Sequence, residues 1–544
     1  MAEIIDCVVV GYNDTTFSDL LRRTEPSKEV SGGYRHLLVS SLSFRGERVK
    51  YPELLNATLE AATGTPSRFH VGRMPNLGAI TLVSFLRRRG LRAELVNFFN
   101  EDKEQLRQLL AERPNAVAIT TTFYFESHPI REIVDFVRQH SPSTRVIVGG
   151  PHVFNICTDH APRLQDVLFR EMGADIYVFE GQGELTLSRI CQELRRPHPD
   201  LSSIPNVIHT TDGGATFVRS GREVENNDME ENTVDWSSFD PKFLAPTVQT
   251  RTAISCAYKC AFCRYPVMAG ALKVTSVETI EREMRYLHSI GVTHLLFIDD
   301  TFNIPKTRFK DICRMMIRNQ FNFRWFSYFR CANADPECFD LMAESGCAGV
   351  FLGIESGDDR VLKAMNKIAT ADKYRDGIAR LNERGIISYA SFIIGHPGET
   401  EETARNTLAF IDEVRPTFYC LESFFFDPKV PIGARAAEFG LTGRAYAWKH
   451  DGMDWRQAAE LVAEGYRTIR GSIVVPLYSF DLWSIAYLMG QGVPLEQIKS
   501  FLSIAAEMLV QGANDLNPYY PEYEERLVSV FRPAAGAAAE LVPA

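Results

Sequence analysis

No stretch of the chain approaches the roughly 18 consecutive apolar residues that a membrane-spanning helix requires, so no such helix is expected. The first residues, Met1-Ala-Glu-Ile-Ile-Asp6, lack a basic stretch followed by an apolar core, and a cytosolic protein is the expectation. Positive charge is in deficit: 59 Lys and Arg against 69 Asp and Glu leave a net charge of −10. Such a surface field repels phosphate backbones, so a nucleic-acid partner would need a local basic patch, and neither nucleic acid nor membrane is expected. Cysteine is sparse and odd in number, 11 in 544 residues, which argues against a disulfide framework and for metal ligation or buried thiols. What is there is ordinary: 45% hydrophobic and 24% charged residues, enough apolar material for several cores. At about 150 residues per domain the length corresponds to about three or four domains, fewer if one is a large barrel.

Short apolar runs at 4–10, 93–99, 116–122, 145–149 and 175–179 read as strands. Between them, 77–89, 101–113, 129–140 and 163–172 carry apolar residues at helical spacing. This alternation predicts a doubly wound parallel sheet over residues 1–197, with ligands beyond the carboxyl ends of its strands. The segment from Gly11 to about Arg73 shows no regular pattern. Residues 198–247, rich in Pro, Ser, Asp, Gly and Asn, read as a linker. A second series follows, with strands at 248–254, 293–298, 323–329, 349–354, 388–394 and 418–426 and helices in the gaps, as in a partial barrel over 248–428. Beyond Pro428 only helical patterns are expected, over 429–544, capping the barrel mouth, with a frayed tail at 532–544.

Cys256-Ala-Tyr-Lys-Cys260-Ala-Phe-Cys263 follows the first strand of the second series directly. Three thiolates on a strand-to-loop transition can converge on one iron–sulfur cube and leave one iron without a protein ligand. An open metal position can bind a substrate or co-substrate. Structural zinc wants a fourth ligand, and the next cysteine, Cys313, lies fifty residues on; three buried thiols without metal are the other alternative.

CxxxCxxC with Phe262 before the last cysteine resembles the signature of the radical S-adenosylmethionine (SAM) superfamily. The resemblance implies a 4Fe–4S cluster on Cys256, Cys260 and Cys263, SAM on the open iron, and its one-electron cleavage to a 5′-deoxyadenosyl radical. Phe297-Ile-Asp-Asp-Thr-Phe302 resembles the motif that meets the SAM amino group, with Asp299 and Asp300 as candidates. Gly353-Ile-Glu-Ser-Gly357, with Glu355 and Ser356, resembles the motif near the ribose and methionyl moiety. Ser391-Phe-Ile-Ile-Gly-His-Pro-Gly-Glu399, with Ser391, Ile393 and Gly395, resembles the motif beside the adenine, although Ser391 stands where glycine is usual. Taken singly, paired aspartates are as often a helix cap and Gly-rich strand ends a turn. Arg330 is a candidate for the SAM carboxylate or an anionic substrate, equally for a structural ion pair.

In the first sheet a GxGxxG fingerprint is absent, since Val8-Val-Val-Gly-Tyr-Asn13 offers one glycine, and NAD is disfavoured. Thr120-Thr121-Thr122, Gly149-Gly150-Pro-His152 and Glu180-Gly181-Gln-Gly183-Glu184 sit at successive strand ends. Together with Met74-Pro-Asn-Leu-Gly78 and Leu86-Arg-Arg-Arg-Gly90 they resemble the Rossmann-like cobalamin-binding domain that precedes many radical SAM barrels. The DxHxxG motif of other cobalamin proteins is missing, so the lower cobalt ligand is unassigned; His152 is the nearest histidine, with a cap or phosphate contact as its expected role.

From Arg251 to about Tyr487 the chain resembles the cobalamin-dependent radical SAM P-methyltransferases of phosphinothricin biosynthesis, through Ile298-Asp-Asp-Thr-Phe-Asn-Ile-Pro305, Tyr328-Phe-Arg-Cys331, Phe351-Leu-Gly-Ile-Glu-Ser-Gly357 and Phe480-Asp-Leu-Trp-Ser-Ile485. The resemblance implies methylation of an unactivated P–H or C–H centre of a small-molecule or peptide natural-product precursor, through methylcobalamin and the deoxyadenosyl radical, with a flavodoxin- or ferredoxin-type reductant. The alternatives are a rearrangement or ring contraction with the same cofactors, or a cobalamin or iron sensor. Tyr419, Glu422, Phe424, Phe426 and Asp427 are candidate pocket residues, equally candidate core; Trp448, His450, Trp455 and Trp483 are expected to pack.

Overall fold

The computed structural model describes residues 4–124, 126–477, 480–512 and 521–532; of the tail expected to fray, 533–544 lie outside the described residues. The chain divides into two compact units, residues 1–15 with 72–244 and residues 16–71 with 245–544.

The first unit is a seven-stranded sheet in the order Ala93–Phe98, Cys7–Tyr12, Ala116–Thr120, Arg145–Gly149, Ile176–Val178, Val207–His209, Val218–Arg219. The first five are parallel and buried by helices, which is why they read as near-continuous Val and Ile; Val8, Val10, Val117, Val146 and Val148 are fully buried. The parallel sheet expected over residues 1–197 is present, and one expectation is corrected: the last two strands, which lie inside the supposed linker, extend that sheet antiparallel. Residues 198–244 belong to this unit because their polar side chains are internal ties: Glu225 accepts the N–H groups of Leu185 and Thr186 at 2.8 Å each and so caps the helix Glu184–Leu194.

The second unit holds a parallel sheet in the order Thr247–Thr250, His294–Phe297, Arg324–Tyr328, Cys347–Glu355, Ile387–Ile394, Phe418–Ser423, Ile473–Val474. Helices follow each of the first six; Ser276, Asp335, Thr370 and Thr400 cap four of them with side-chain oxygens. Strand alternation decides what lines the interior. Leu352 and Ile354 are buried outward, whereas Phe351 and Gly353 face inward and retain access to solvent. Register places Tyr328 beside Phe351, Phe351 beside Tyr389 and Tyr389 beside Phe418, a row of rings across four strands with centroids 5.2, 5.2 and 6.4 Å apart.

The segment without a sequence pattern, residues 16–71, belongs to this second unit as helices Phe17–Thr24, Gly33–Val39 and Tyr51–Thr63 and a short hairpin. Its helices are short and partly buried, which leaves little periodicity to read. Beyond Pro428 the expected loss of strands is also corrected: Thr442–Arg444, Ala447–His450 and Met453–Asp454 form a small antiparallel sheet, and Ile473–Val474 extends the barrel. This region does not act only at the mouth. Ile432 donates its N–H to the Ala261 carbonyl at 2.8 Å, beside the cysteines, but a Cβ on Gly490 would lie 1.9 Å from Thr247 Oγ1, so the helix Leu482–Gly490 ends against the opposite end of the strands.

Candidate active site

The cysteine segment is held from several sides. Asp299, at the end of the second barrel strand, accepts the N–H groups of Thr252 at 2.6 Å and Ala253 at 3.0 Å, fixing the departure of the chain from the first strand. Ser255, at φ +74°, donates to the Gly270 carbonyl at 2.6 Å. Further on, Ala261 donates to the Met365 carbonyl at 2.8 Å, and Cys263 closes a turn on the Cys260 carbonyl at 3.2 Å. Cys256 Sγ lies 3.3 Å from Thr301 Oγ1. All three cysteines are unpaired, and burial pushes the Cys263 thiol up to about 11, with Cys260 and Cys256 adding like charge.

The neighbouring strand ends bring few but distinct groups. Arg330 is 7% exposed; Asn303 holds its backbone N–H and carbonyl at 3.0 and 3.1 Å, and its guanidinium lies 3.7 Å over the Tyr258 ring. Among the described residues its Nε and Nη2 have no hydrogen-bond partner, a costly state for buried charge unless a ligand anion meets it. Asp300 sits at the rim, raised to about 6 by desolvation against the opposing pull of Arg251. Glu355, at φ +71°, pairs with Lys367 at 3.0 Å, and Lys367 Nζ lies 5.6 Å over the Phe262 ring. Phe262 in turn meets His396 edge-on at 6.2 Å.

In the first unit, Asn97 organises the loop before the helix Leu77–Arg87: its Oδ1 accepts Asn76 N–H at 2.8 Å, and Asn76 caps the helix by accepting Ala79 N–H at 3.0 Å. A Cβ on Gly78 would stand 3.4 Å from Thr122 Oγ1, which lies 3.3 Å from Thr120 Oγ1. Gly150, at φ +106°, would place a Cβ 2.9 Å from Thr121 Oγ1, so only glycine suits this strand end. The edge is therefore lined by hydroxyls and bare backbone.

Residues 252–411 match the model of the radical SAM superfamily, and residues 71–190 match that of the B12 binding domain. The chain pairs a radical SAM domain with a B12 binding domain. A methyltransferase of unassigned function from Pyrococcus horikoshii, PH0819, is 27% identical over 55% of this chain and 64% of its own length. The ribosomal protein uS12 methylthiotransferase RimO of Heliobacterium modesticaldum is 31% identical over 34% of this chain and 43% of its own. The chain thus spans less than two thirds of either curated relative. Among solved structures, the radical SAM methyltransferase TsrM of Kitasatospora setae, with cobalamin and a 4Fe–4S cluster bound, superposes with a TM-score of 0.55 at 19% identity over 84% of this chain and 96% of its own. The cobalamin-dependent radical enzyme OxsB, with aqua-cobalamin and SAM bound, reaches 0.58 at 16% identity over 85% and 73%. At these identities the likeness is one of fold.

The residues of the radical SAM domain suit its cofactors. Cys256, Cys260 and Cys263 supply the sulfur donors that cluster irons take, and the unpartnered nitrogens of Arg330 suit a carboxylate. Among the described residues no three His, Cys, Asp or Glu side chains close on a point as ligands of a single ion would; the cysteines of a cube surround a larger object.

Several expected contacts are corrected. Both Asp299 oxygens are engaged by Thr252 and Ala253, which leaves Asp300 as the rim carboxylate. Ser356 is fully buried, its hydroxyl 3.0 Å from Thr407 Oγ1 and accepting Asp358 N–H at 3.1 Å. Gly395 donates its N–H to Glu399, accepts from His450 Nε2 at 3.2 Å, and lies against Trp448. Ser391 and Ile393 do face the interior, in register with Cys420 and Glu422. Of the pocket candidates, Tyr419 points outward with its hydroxyl toward the Gly465 carbonyl, Phe424 and Phe426 are core, and Asp427 pairs with Arg264 at 3.0 Å. Trp448 packs as expected, whereas Trp483 remains partly exposed, its Nε1 donating to Tyr328 Oη at 3.2 Å.

In the B12 binding domain, Thr121 is engaged with the Gly149 carbonyl at 2.8 Å and Glu180 with Arg222 at 3.2 Å, so neither is open to a ligand. Glu184 accepts from Asn227 at 3.0 Å. His152 Nε2 lies 3.3 Å from Ser127 Oγ, and burial pushes the imidazole down to about 4, hence neutral. Gly183, at φ +77°, starts the last helix, and Gly181 is exposed beside it. Sequence reasoning missed Lys367, Asn303 and His36. None stands in a recognisable spacing with its partner.

Proposed function

We propose that this enzyme transfers a methyl group to an unactivated C–H or P–H centre of a small-molecule or peptide precursor. The observation that carries the reading is the union, in one chain, of a three-cysteine loop at the first barrel strand with a glycine- and threonine-edged B12 binding sheet. The descriptions of PH0819 and TsrM as methyltransferases support it.

When bound, the cluster and SAM supply a carbon radical able to remove a hydrogen atom, and cobalamin supplies a transferable methyl group. Cys256, Cys260 and Cys263 would hold the cluster, while Arg330 and Asp300 would receive the carboxylate and amino groups of SAM. Asp299 fixes the loop and Asn303 fixes Arg330. Tyr328, Phe351 and Tyr389 would present a row of aromatic rings to the barrel interior. In the B12 binding domain, Thr120, Thr122, Gly78, Gly149 and Gly150 would line the corrin site. Electrons would come from a flavodoxin- or ferredoxin-type donor. A centre without an available lone pair cannot attack SAM directly, which is the chemical reason for a radical route. The resemblance to the phosphinothricin P-methyltransferases makes phosphinates the first substrates to try.

The test is anaerobic reconstitution with iron, sulfide and hydroxocobalamin, followed by mass spectrometry with candidate phosphinates and peptides. Methylation predicts equal amounts of 5′-deoxyadenosine and S-adenosylhomocysteine; a rearrangement predicts no S-adenosylhomocysteine. Protein that retains neither iron nor corrin after both are offered would sink the reading.

A further inference from the structure

Glu422 stands at the inward face of the sixth barrel strand, level with Ile393 and one step above Cys420. His36 Nε2 lies 3.3 Å from Glu422 Oε2, and His36 stacks on Tyr446 with centroids 5.2 Å apart. The titratable groups that face Glu422 are His36, Cys420, Tyr389 and Tyr466, and all are neutral near pH 7: burial pushes His36 down to about 4 and the other three up. Burial alone raises Glu422 to about 8. Among the described residues that face it, this partly buried carboxyl meets no permanent cation, so a ligand cation that reached it would find an unpaired acceptor.

Below it lie small and then aromatic residues. Gly353, Ser391 and Cys420 are in register across three strands, and a Cβ on Gly353 would stand 2.5 Å from Glu355 Oε1. One layer down, Tyr328 and Phe351 meet edge to face at 5.2 Å, and Trp483 meets Tyr328 at 5.0 Å; all three rings keep some exposure. Aromatic faces attract organic cations.

We propose that the barrel interior binds the ammonium group of an amine substrate, with Glu422 as its counter-ion, His36 as the residue that orients Glu422, and Tyr328, Phe351 and Trp483 as the aromatic bed. The inference rests on reading the barrel as the place of substrate chemistry and adds the substrate's charge. At pH 7 the bound ammonium ionises Glu422, and the carboxyl proton leaves to solvent.

Isothermal titration calorimetry on the full-length, cluster- and cobalamin-loaded protein tests this, with 2-phenylethylamine, 3-phenylpropionate and 2-phenylethanol as matched probes. The amine is expected to bind at least tenfold tighter than the other two. Repeating the titration in buffers of different ionisation enthalpy is expected to reveal release of about one proton per site. Glu422→Gln is expected to abolish the release and to reduce the amine to the affinity of the alcohol. Equal binding of the three probes, or proton release that survives Glu422→Gln, overturns the inference. If Glu422→Gln does not load its cluster, probe discrimination and proton release in the unaltered protein decide the matter alone. Amine preference in a protein that cleaves no SAM defeats the proposed function and leaves this site standing; SAM cleavage without amine preference does the reverse.

Discussion

Lys367 Nζ lies 3.0 Å from Glu355 Oε1, and the two side chains are 8% and 10% exposed. Glu355 occupies a left-handed backbone position at a register shift between the fourth and fifth barrel strands, so Lys367 balances charge at a strained point. Lys367→Met is expected to destabilise the fold by about 3–5 kcal/mol in urea denaturation, because it leaves an uncompensated buried carboxylate. Adding Glu355→Gln should recover part of the loss. A single-variant cost below about 1 kcal/mol would show the pair to be solvated.

Alanine in place of Cys256, Cys260 or Cys263 is expected to remove the cluster absorbance and 5′-deoxyadenosine formation together. Persistence of SAM cleavage in all three variants would refute the site assignment.

Arg330→Lys removes the planar fork whose nitrogens await an acceptor, while Asn303 continues to hold the backbone. SAM affinity, measured by equilibrium dialysis, is expected to fall about tenfold, close to 1.4 kcal/mol, with the iron content retained. Unchanged affinity would assign Arg330 to packing on Tyr258.

Glu399 is buried and raised to about 8 by desolvation, although Gly395 N–H donates to it; Glu422 is raised to a similar value. Between about pH 4.5 and 8 the folded protein keeps these protons and the unfolded chain does not, so stability falls as pH rises through that window. Each group contributes up to about 1.4 kcal/mol per pH unit. Glu399→Gln, which keeps an acceptor for Gly395, is expected to flatten the slope measured by denaturation at several pH values. An unaltered slope would mean that Glu399 is ionised in the folded state.

Gly395 combines φ +97° with a Cβ position 2.4 Å from the Trp448 ring and 2.9 Å from Ala458 Cβ. Gly395→Ala is expected to cost about 2–4 kcal/mol, from strain and overpacking together, seen as a lowered Tm. A neutral outcome would show that the Trp448 side of the mouth yields.

Both parallel sheets were legible because their strands are buried on two faces and separated by capped amphipathic helices, and that pattern is local. Residues 16–71 were illegible for the opposite reason: their helices are short and draw their stability from the second unit. The supposed linker misled because its polar residues are internal hydrogen-bonding groups. Glu225 and Asn206 look like loop composition, yet Asn206 Nδ2 donates to the Glu223 carbonyl at 2.7 Å within the sheet extension.

At the site the limit is sharper. Asp299 and Asp300 are adjacent and chemically identical, yet one faces the loop and the other the rim, a difference set by strand alternation and by where Thr252 lies. The amino-acid sequence by itself determined the sulfur donors, their spacing, and the alternation of strands and helices, because each depends on neighbours within a few residues. Which carboxylates are engaged, which cation is left without an anion, and that His36 meets Glu422 were decided by tertiary structure alone. Desolvation and pairing depend on what the fold brings within a few ångströms, whatever the distance along the chain.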